Sequence, residues 1–198
     1  MIARAQISKV TNYFRALRRR LGRDDASQIV EFALSVPLLV VFSVGIFDFT
    51  AAGTLKMKLA NAARDCARSV AAAPAMDVGN TLAPAPASVF DGLDVVVNYL
   101  DNAKVNDCGL RLAAPTAAGL TYTYTASGNG CPGSGVVLTI NRGCVVPTAG
   151  TLNIVGTCVQ LQYSYQWQFN RVITLMVPGA TYAGTTTMTA KAMSMNEN

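Results

Sequence analysis

The sequence predicts an α+β protein in which one long N-terminal helix, apolar enough in part to cross a membrane, leads to a small antiparallel β-sheet head with one further helix, stapled by disulfides. Three observations carry this. An apolar run over residues 29–49 holds Glu31 as its only charge before Asp48. The segment Val159-Gln-Leu-Gln-Tyr-Ser-Tyr-Gln-Trp-Gln-Phe169 alternates apolar and polar side chains, the period of a half-buried antiparallel strand. All five cysteines follow the apolar run, none forms a Cys-x-x-Cys pair, and the chain has no histidine. That pattern favours disulfides in an exported domain over a zinc site.

The net charge of +5 is concentrated at the N-terminus. Residues 1–26 contain Arg4, Lys9, Arg15, Arg18, Arg19, Arg20 and Arg23 against Asp24 and Asp25, and the remainder is balanced. A basic cluster directly before an apolar span holds the N-terminus on the cytoplasmic side, because positive flanks resist translocation. The charge therefore reads as a topology signal, with no nucleic acid as partner. The expected organisation is a basic cytoplasmic leader over 1–26, a continuous helix over 27–73, a Pro/Ala connector over 74–87 and an extracytoplasmic α+β head over 88–198.

Within the helix, the transmembrane part covers residues 29–49, since about 20 residues at a rise of 1.5 Å match a bilayer core of about 30 Å. Pro37 and Gly45 are the places where it could bend or loosen. Beyond it, Leu55, Leu59, Ala62, Cys66 and Val70 recur at helical spacing with Lys56, Lys58, Arg64, Asp65 and Arg68 between them, an apolar stripe with a solvated back. Pro74 ends this helix, and Pro84 and Pro86 belong to the connector. Ser88 followed by Asp91 reads as a capping box opening a second helix, with Val89, Leu93, Val96, Val97 and Leu100 on its buried face. Besides the strand over 159–169, strands are expected over 110–114, 120–126, 136–141 and 185–193, separated by Gly, Pro and Asn clusters.

Cys108 and Cys131 bracket the first hairpin, and Cys144 and Cys158 bracket the next turn, so these are the expected bridges. Each would contribute about 2–4 kcal/mol to a thin core. Cys66 then stands alone. It reads as a small apolar residue on the packing face of the helix, with a link to Cys108 or to a neighbouring subunit as the alternative.

Other motifs carry little chemistry. Gly128-Asn-Gly-Cys-Pro-Gly133 matches the dinucleotide fingerprint literally, but Pro132 and a following strand deny it the helix that a phosphate site needs. Arg18-Arg19-Arg20 lacks the context of a twin-arginine export signal. Without histidine, Ser-His-Asp and Cys-His arrangements are impossible, and Asp91 and Asp94 read as the solvated face of the second helix. No enzymatic activity and no cofactor are expected. Gln160, Gln162, Gln166 and Gln168 read as a solvated sheet face rather than a partner surface.

Glu31 remains. A carboxylate within an apolar span is costly and therefore functional by default, although its position near one end would also let its head reach water. A cut between Ala26 and Ser27 would leave a free amine at Ser27, one helical turn from Glu31, where carboxylate and ammonium can neutralise each other.

The run Ser27-Gln-Ile-Val-Glu-Phe-Ala-Leu-Ser-Val-Pro37, then Gly45-Ile-Phe-Asp-Phe49, then Asn61-Ala-Ala-Arg-Asp-Cys-Ala-Arg68 resembles the TadE-like (TadE/TadG) minor pilins of tight-adherence pilus systems. The resemblance covers residues 26–73, and it implies a pilin-like helix. It further implies that a prepilin peptidase cuts the leader between Ala26 and Ser27, that Glu31 serves subunit docking, and that the partners are other pilins, the pilus assembly platform and the inner membrane. Ala26 stands where the family has glycine, and Cys66 does so too. The expected function is that of a single-pass inner-membrane minor pilin with a periplasmic head. The rivals are an uncleaved bitopic membrane protein presenting an assembly domain, and a secreted enzyme.

Overall fold

The computed structural model describes residues 24–196 other than 75, 78–83, 129, 148–152, 177–178 and 180–183. Residues 1–23 of the expected leader over 1–26, with its arginine cluster, and Asn129 of the glycine-rich segment lie outside the described residues. The chain divides into two compact units, Met1–Ile46 and Phe47–Asn198. Helix α1 (Asp24–Ala72) is continuous and runs through Pro37. It starts ahead of residue 27, so Ala26 and Ser27 are both helical.

In the second unit the apolar stripe of α1 becomes the floor of the core. Leu59, Ala62, Ala63, Cys66, Ala67 and Val70 are buried, while Lys56, Arg64, Asp65 and Arg68 are exposed. Helix α2 (Ala87–Asn102) turns Val89, Leu93, Val96, Val97 and Leu100 into the same core. Gly92 lets the two helices meet: a Cβ there would overlap Cγ2 of Val70 and lie 3.2 Å from the Cys66 sulfur and 3.3 Å from Cδ1 of Ile140. Small residues at this crossing permit close backbone approach to both helix and sheet.

The sheet is a five-stranded antiparallel meander in the order β1 (Thr116–Ala118), β2 (Thr121–Ala126), β3 (Val136–Pro147), β4 (Asn153–Gln166) and β5 (Thr185–Met195). Register places Tyr122, Ile140, Val159 and Ala192 in one row and Tyr124, Leu138, Leu161 and Ala190 in the next. These rows face α1 and α2 in a single hydrophobic core. The opposite face carries Thr123, Thr139, Gln160 and Lys191 in one row. Gln160 and Gln162 are half-buried there, and Gln166 and Gln168 are exposed. Disulfides join Cys108 to Cys131 and Cys144 to Cys158, with Cα–Cα distances of 5.6 and 5.9 Å; Cys66 is a free, buried thiol.

Four local expectations are corrected. Residues 110–114 form no strand: Leu110–Leu112 is a 3-10 turn in which Leu110 is buried and Leu112 is 90 % exposed. The first hairpin instead uses the three-residue β1, whose side chains are all exposed. The alternating strand stops at Gln166, and Phe169 opens a third helix, α3 (Phe169–Met176).

The capping box at Ser88 does not form either. Pro86 occupies the cap position without a side-chain bond, and the cap comes from the connector: Asp77 Oδ1 accepts from the Ala87 N–H at 3.2 Å and Oδ2 from the Ser88 N–H at 2.8 Å. The Ser88 hydroxyl turns to Arg142, accepting from Nη1 at 2.5 Å.

Arg142 sits where the β3–β4 register shifts between Asn141 and Cys144. Its side chain is 1 % exposed, and Nη2 donates to the Ala73 carbonyl at 3.0 Å. A buried cation thus faces the C-terminal carbonyls of α1, and an anion faces the N-terminus of α2, each sign matching the helix dipole it meets. At the other end of α2, Lys58 Nζ donates to the Ala103 carbonyl at 2.7 Å. Burial works to raise the Asp77 carboxyl, but hydrogen bonds from Ser88 and Ala87 and the charge of Arg142 outweigh it and hold the group below the usual carboxylate range.

Candidate functional site

Among the described residues of the first unit, exposed apolar side chains surround α1. Ile29, Phe32, Leu34, Leu38, Phe42 and Ile46 point in successive directions around α1, and all are exposed, Leu34 to 73 %. A helix that is apolar all round requires lipid or other apolar helices around it. From Ser27 onward it is long and apolar enough to span a membrane.

Ser27 and Glu31 are exposed on this helix, and their spacing of four residues puts them on one face. Ser35 Oγ donates to the Glu31 backbone carbonyl at 2.8 Å. The bond between Ala26 and Ser27 lies within α1, which is described from Asp24 onward.

The second unit opens with a polar node that sequence reading passed over. Asp48, read only as the end of the apolar run, is 5 % exposed. Tyr165 Oη donates to its Oδ1 at 2.5 Å, and the Phe169 N–H donates to its Oδ2 at 2.8 Å. The carboxylate thereby caps the N-terminus of α3 and ends β4. Burial first, then the bond to Asp48 and its charge, push the Tyr165 phenol up to about 12, so it stays protonated and donates. The available signal was an acid within an otherwise apolar stretch, the criterion that singled out Glu31.

The cysteines have separate fates. Cys66 is enclosed by α1, α2 and the sheet, and burial pushes its thiol up to about 12, which makes it a poor nucleophile. Cys108 with Cys131 and Cys144 with Cys158 tie the head together at two places. Asp91 and Asp94 lie on the outer face of α2, with Arg111 3.9 Å from Asp94 and 3.5 Å from Asp101. Among the described residues, no group of three or more His, Cys, Asp or Glu side chains converges as a metal site would require.

The chain thus combines a helix long and apolar enough to cross a bilayer with an α+β unit that carries two disulfides. The particular relationship lies in the helix: residues 26–68 match the TadE-like protein family. No curated protein and no solved structure matches the chain. The matched segment contains Ala26, Ser27, Glu31 and Asp48, and its last turns bury Ala62, Ala63, Cys66 and Ala67 in the core while Arg64 and Arg68 remain exposed.

Proposed function

We propose that the protein is a non-enzymatic minor pilin or pseudopilin of a tight-adherence pilus, held in the inner membrane by α1 with its head in the periplasm. The observation that carries the reading is the TadE-like match at residues 26–68, which falls on a helix with an exposed apolar surface containing Glu31. In this role a prepilin peptidase cuts between Ala26 and Ser27. The Glu31 carboxylate then neutralises the new Ser27 amine, its own or a neighbour's, during docking in an apolar medium where neither charge is tolerable alone. The head, stabilised by two disulfides, contacts other pilins and the assembly platform.

N-terminal sequencing of the mature protein tests this. A start at Ser27 is expected, together with loss of pilus assembly in a Glu31→Ala variant. Normal pili from that variant would remove the docking role. Because α1 begins ahead of the cut and Ala26 replaces glycine, a second reading is an uncleaved bitopic protein presenting an assembly head in the periplasm; an intact Met1 identifies it.

A further inference from the structure

We infer that Trp167, Phe169 and the described apolar face of α3 form a foot that seats the head on the surface of the membrane crossed by α1, with lipid as its partner. The inference rests on the reading of α1 as a membrane anchor, and it assigns the head a fixed contact that the anchor alone does not supply.

The first support is the tether. Asp48 closes the apolar run, and its neighbours Phe47 and Phe49 are 75 and 74 % exposed. The Phe169 N–H and the Tyr165 hydroxyl both bind the Asp48 carboxylate. The first turn of α3 is therefore held beside the residue at which the lipid-compatible stretch ends. An eight-residue helix is too short to persist alone in water, and the cap from Asp48 explains why it forms here. The same bonds explain how a carboxylate is tolerated beside exposed phenylalanines: its charge is turned away from lipid into a peptide N–H and a phenol.

The second support is composition. Between Val159 and Ala190 the only charged residue is Arg171, whereas soluble surfaces are rich in charge. Phe169, Val172 and Ile173 follow the i, i+3, i+4 spacing of one helix face, and each remains partly exposed. Tyr165 and Trp167 stack edge to face with ring centroids 5.2 Å apart, and Trp167 Nε1 donates to Thr186 Oγ1 at 2.8 Å. Tyr and Trp with an apolar body and a satisfied polar tip are the residues that concentrate at membrane interfaces. Short amphipathic helices lie in that zone with the apolar face in the acyl boundary. Lipid is favoured over a protein partner by continuity: a segment tied to the end of a membrane span meets lipid whether or not another subunit is present.

Trp167 is the sole tryptophan, so its emission reports this site directly. The full-length protein is reconstituted in phosphatidylcholine vesicles, and Trp167 is challenged with a headgroup nitroxide lipid and with aqueous iodide at high and low protein-to-lipid ratios. Loss of emission to the nitroxide lipid, with protection from iodide at both ratios, is the expected result. Iodide quenching in protein that resists alkaline carbonate extraction overturns the foot and leaves the anchor standing. Protection that disappears on dilution assigns the surface to a neighbouring subunit and overturns the lipid contact. Extraction by carbonate overturns the anchor and the foot together. Ile173→Asp, with both disulfides retained as evidence of folding, is expected to open Trp167 to iodide; unchanged protection overturns the part assigned to α3.

Discussion

Replacing Arg142 by methionine tests how the connector is held to the head. Methionine keeps the length and the apolar stem but removes the donors to the Ser88 hydroxyl, the Ala73 carbonyl and the Asp77 carboxylate, the last 3.4 Å away. Hydrogen bonds to a charged group contribute about 1.5–3 kcal/mol each, and breaking a buried pair by removing one partner costs about 3–5 kcal/mol. The desolvation of the guanidinium is recovered in the variant, and Asp77 keeps 19 % exposure, so water screens part of its loss. The net expectation is destabilisation by about 3 kcal/mol, with a fall in Tm of about 6–12 °C for a head of this size. Asp77→Asn preserves the shape of the cap and loses the charge. The double variant should be less destabilised than the sum of the single ones by about 1 kcal/mol.

The assay is denaturant unfolding of the full-length protein in detergent, followed by near-ultraviolet circular dichroism. An Arg142→Met protein within about 0.5 kcal/mol of the parent, the range of an ordinary surface substitution, would refute the reasoning. The pH dependence supplies a further check. The folded Asp77 carboxyl lies below its usual value, so its stabilisation is complete above the unfolded pKa of about 4 and is lost as pH falls through the folded value. Asp77→Asn should lack that acid-side component.

Cys66 in the folded protein should resist alkylation by iodoacetamide at pH 8, because its thiol is buried and raised to about 12, and should react fully after denaturation; mass spectrometry reads both states. Gly92→Ala should destabilise the head by about 1–2 kcal/mol, since overlap with Val70 costs more than the helix gains from losing a glycine. A more stable variant in denaturant unfolding would refute the close approach of α1 and α2. Removing the Cys144–Cys158 bridge, which spans 14 residues, by the double change to alanine should cost about 2–4 kcal/mol, measured by the same unfolding assay.

Much of the fold is readable in the chain because its signals are periodic and local. Leu59, Ala62, Cys66 and Val70 mark a helical stripe whatever they pack against, and residues 159–166 alternate as only a half-buried strand does. The misreadings occur where a distant group takes over a local decision. Trp167-Gln-Phe169 continues the alternation of β4, but the Phe169 N–H is claimed by Asp48, more than a hundred residues earlier in the chain, and the strand gives way to α3. Ser88 has the spacing of a capping box, yet Asp77 supplies the cap and Arg142 takes the hydroxyl. Leu110 and Leu112 flank a polar residue in both a strand and a 3-10 turn, so their pattern alone could not separate the two.

The candidate site divides the same way. Glu31, Ser27 and the apolar run are legible because an acid among apolar residues is visible in one dimension, and their TadE-like pattern is contiguous. Asp48 satisfied the same criterion, but its meaning required Tyr165 and Phe169 beside it. The sequence by itself determined the long apolar helix, the antiparallel sheet and the TadE-like motif, since hydrophobic period and motif spacing are properties of neighbouring residues. Only the tertiary structure decided which carboxylates cap which helices, where β4 ends and where Arg142 is buried. Those outcomes depend on satisfying buried hydrogen-bonding groups with partners brought close by the fold, and no local pattern records such partners.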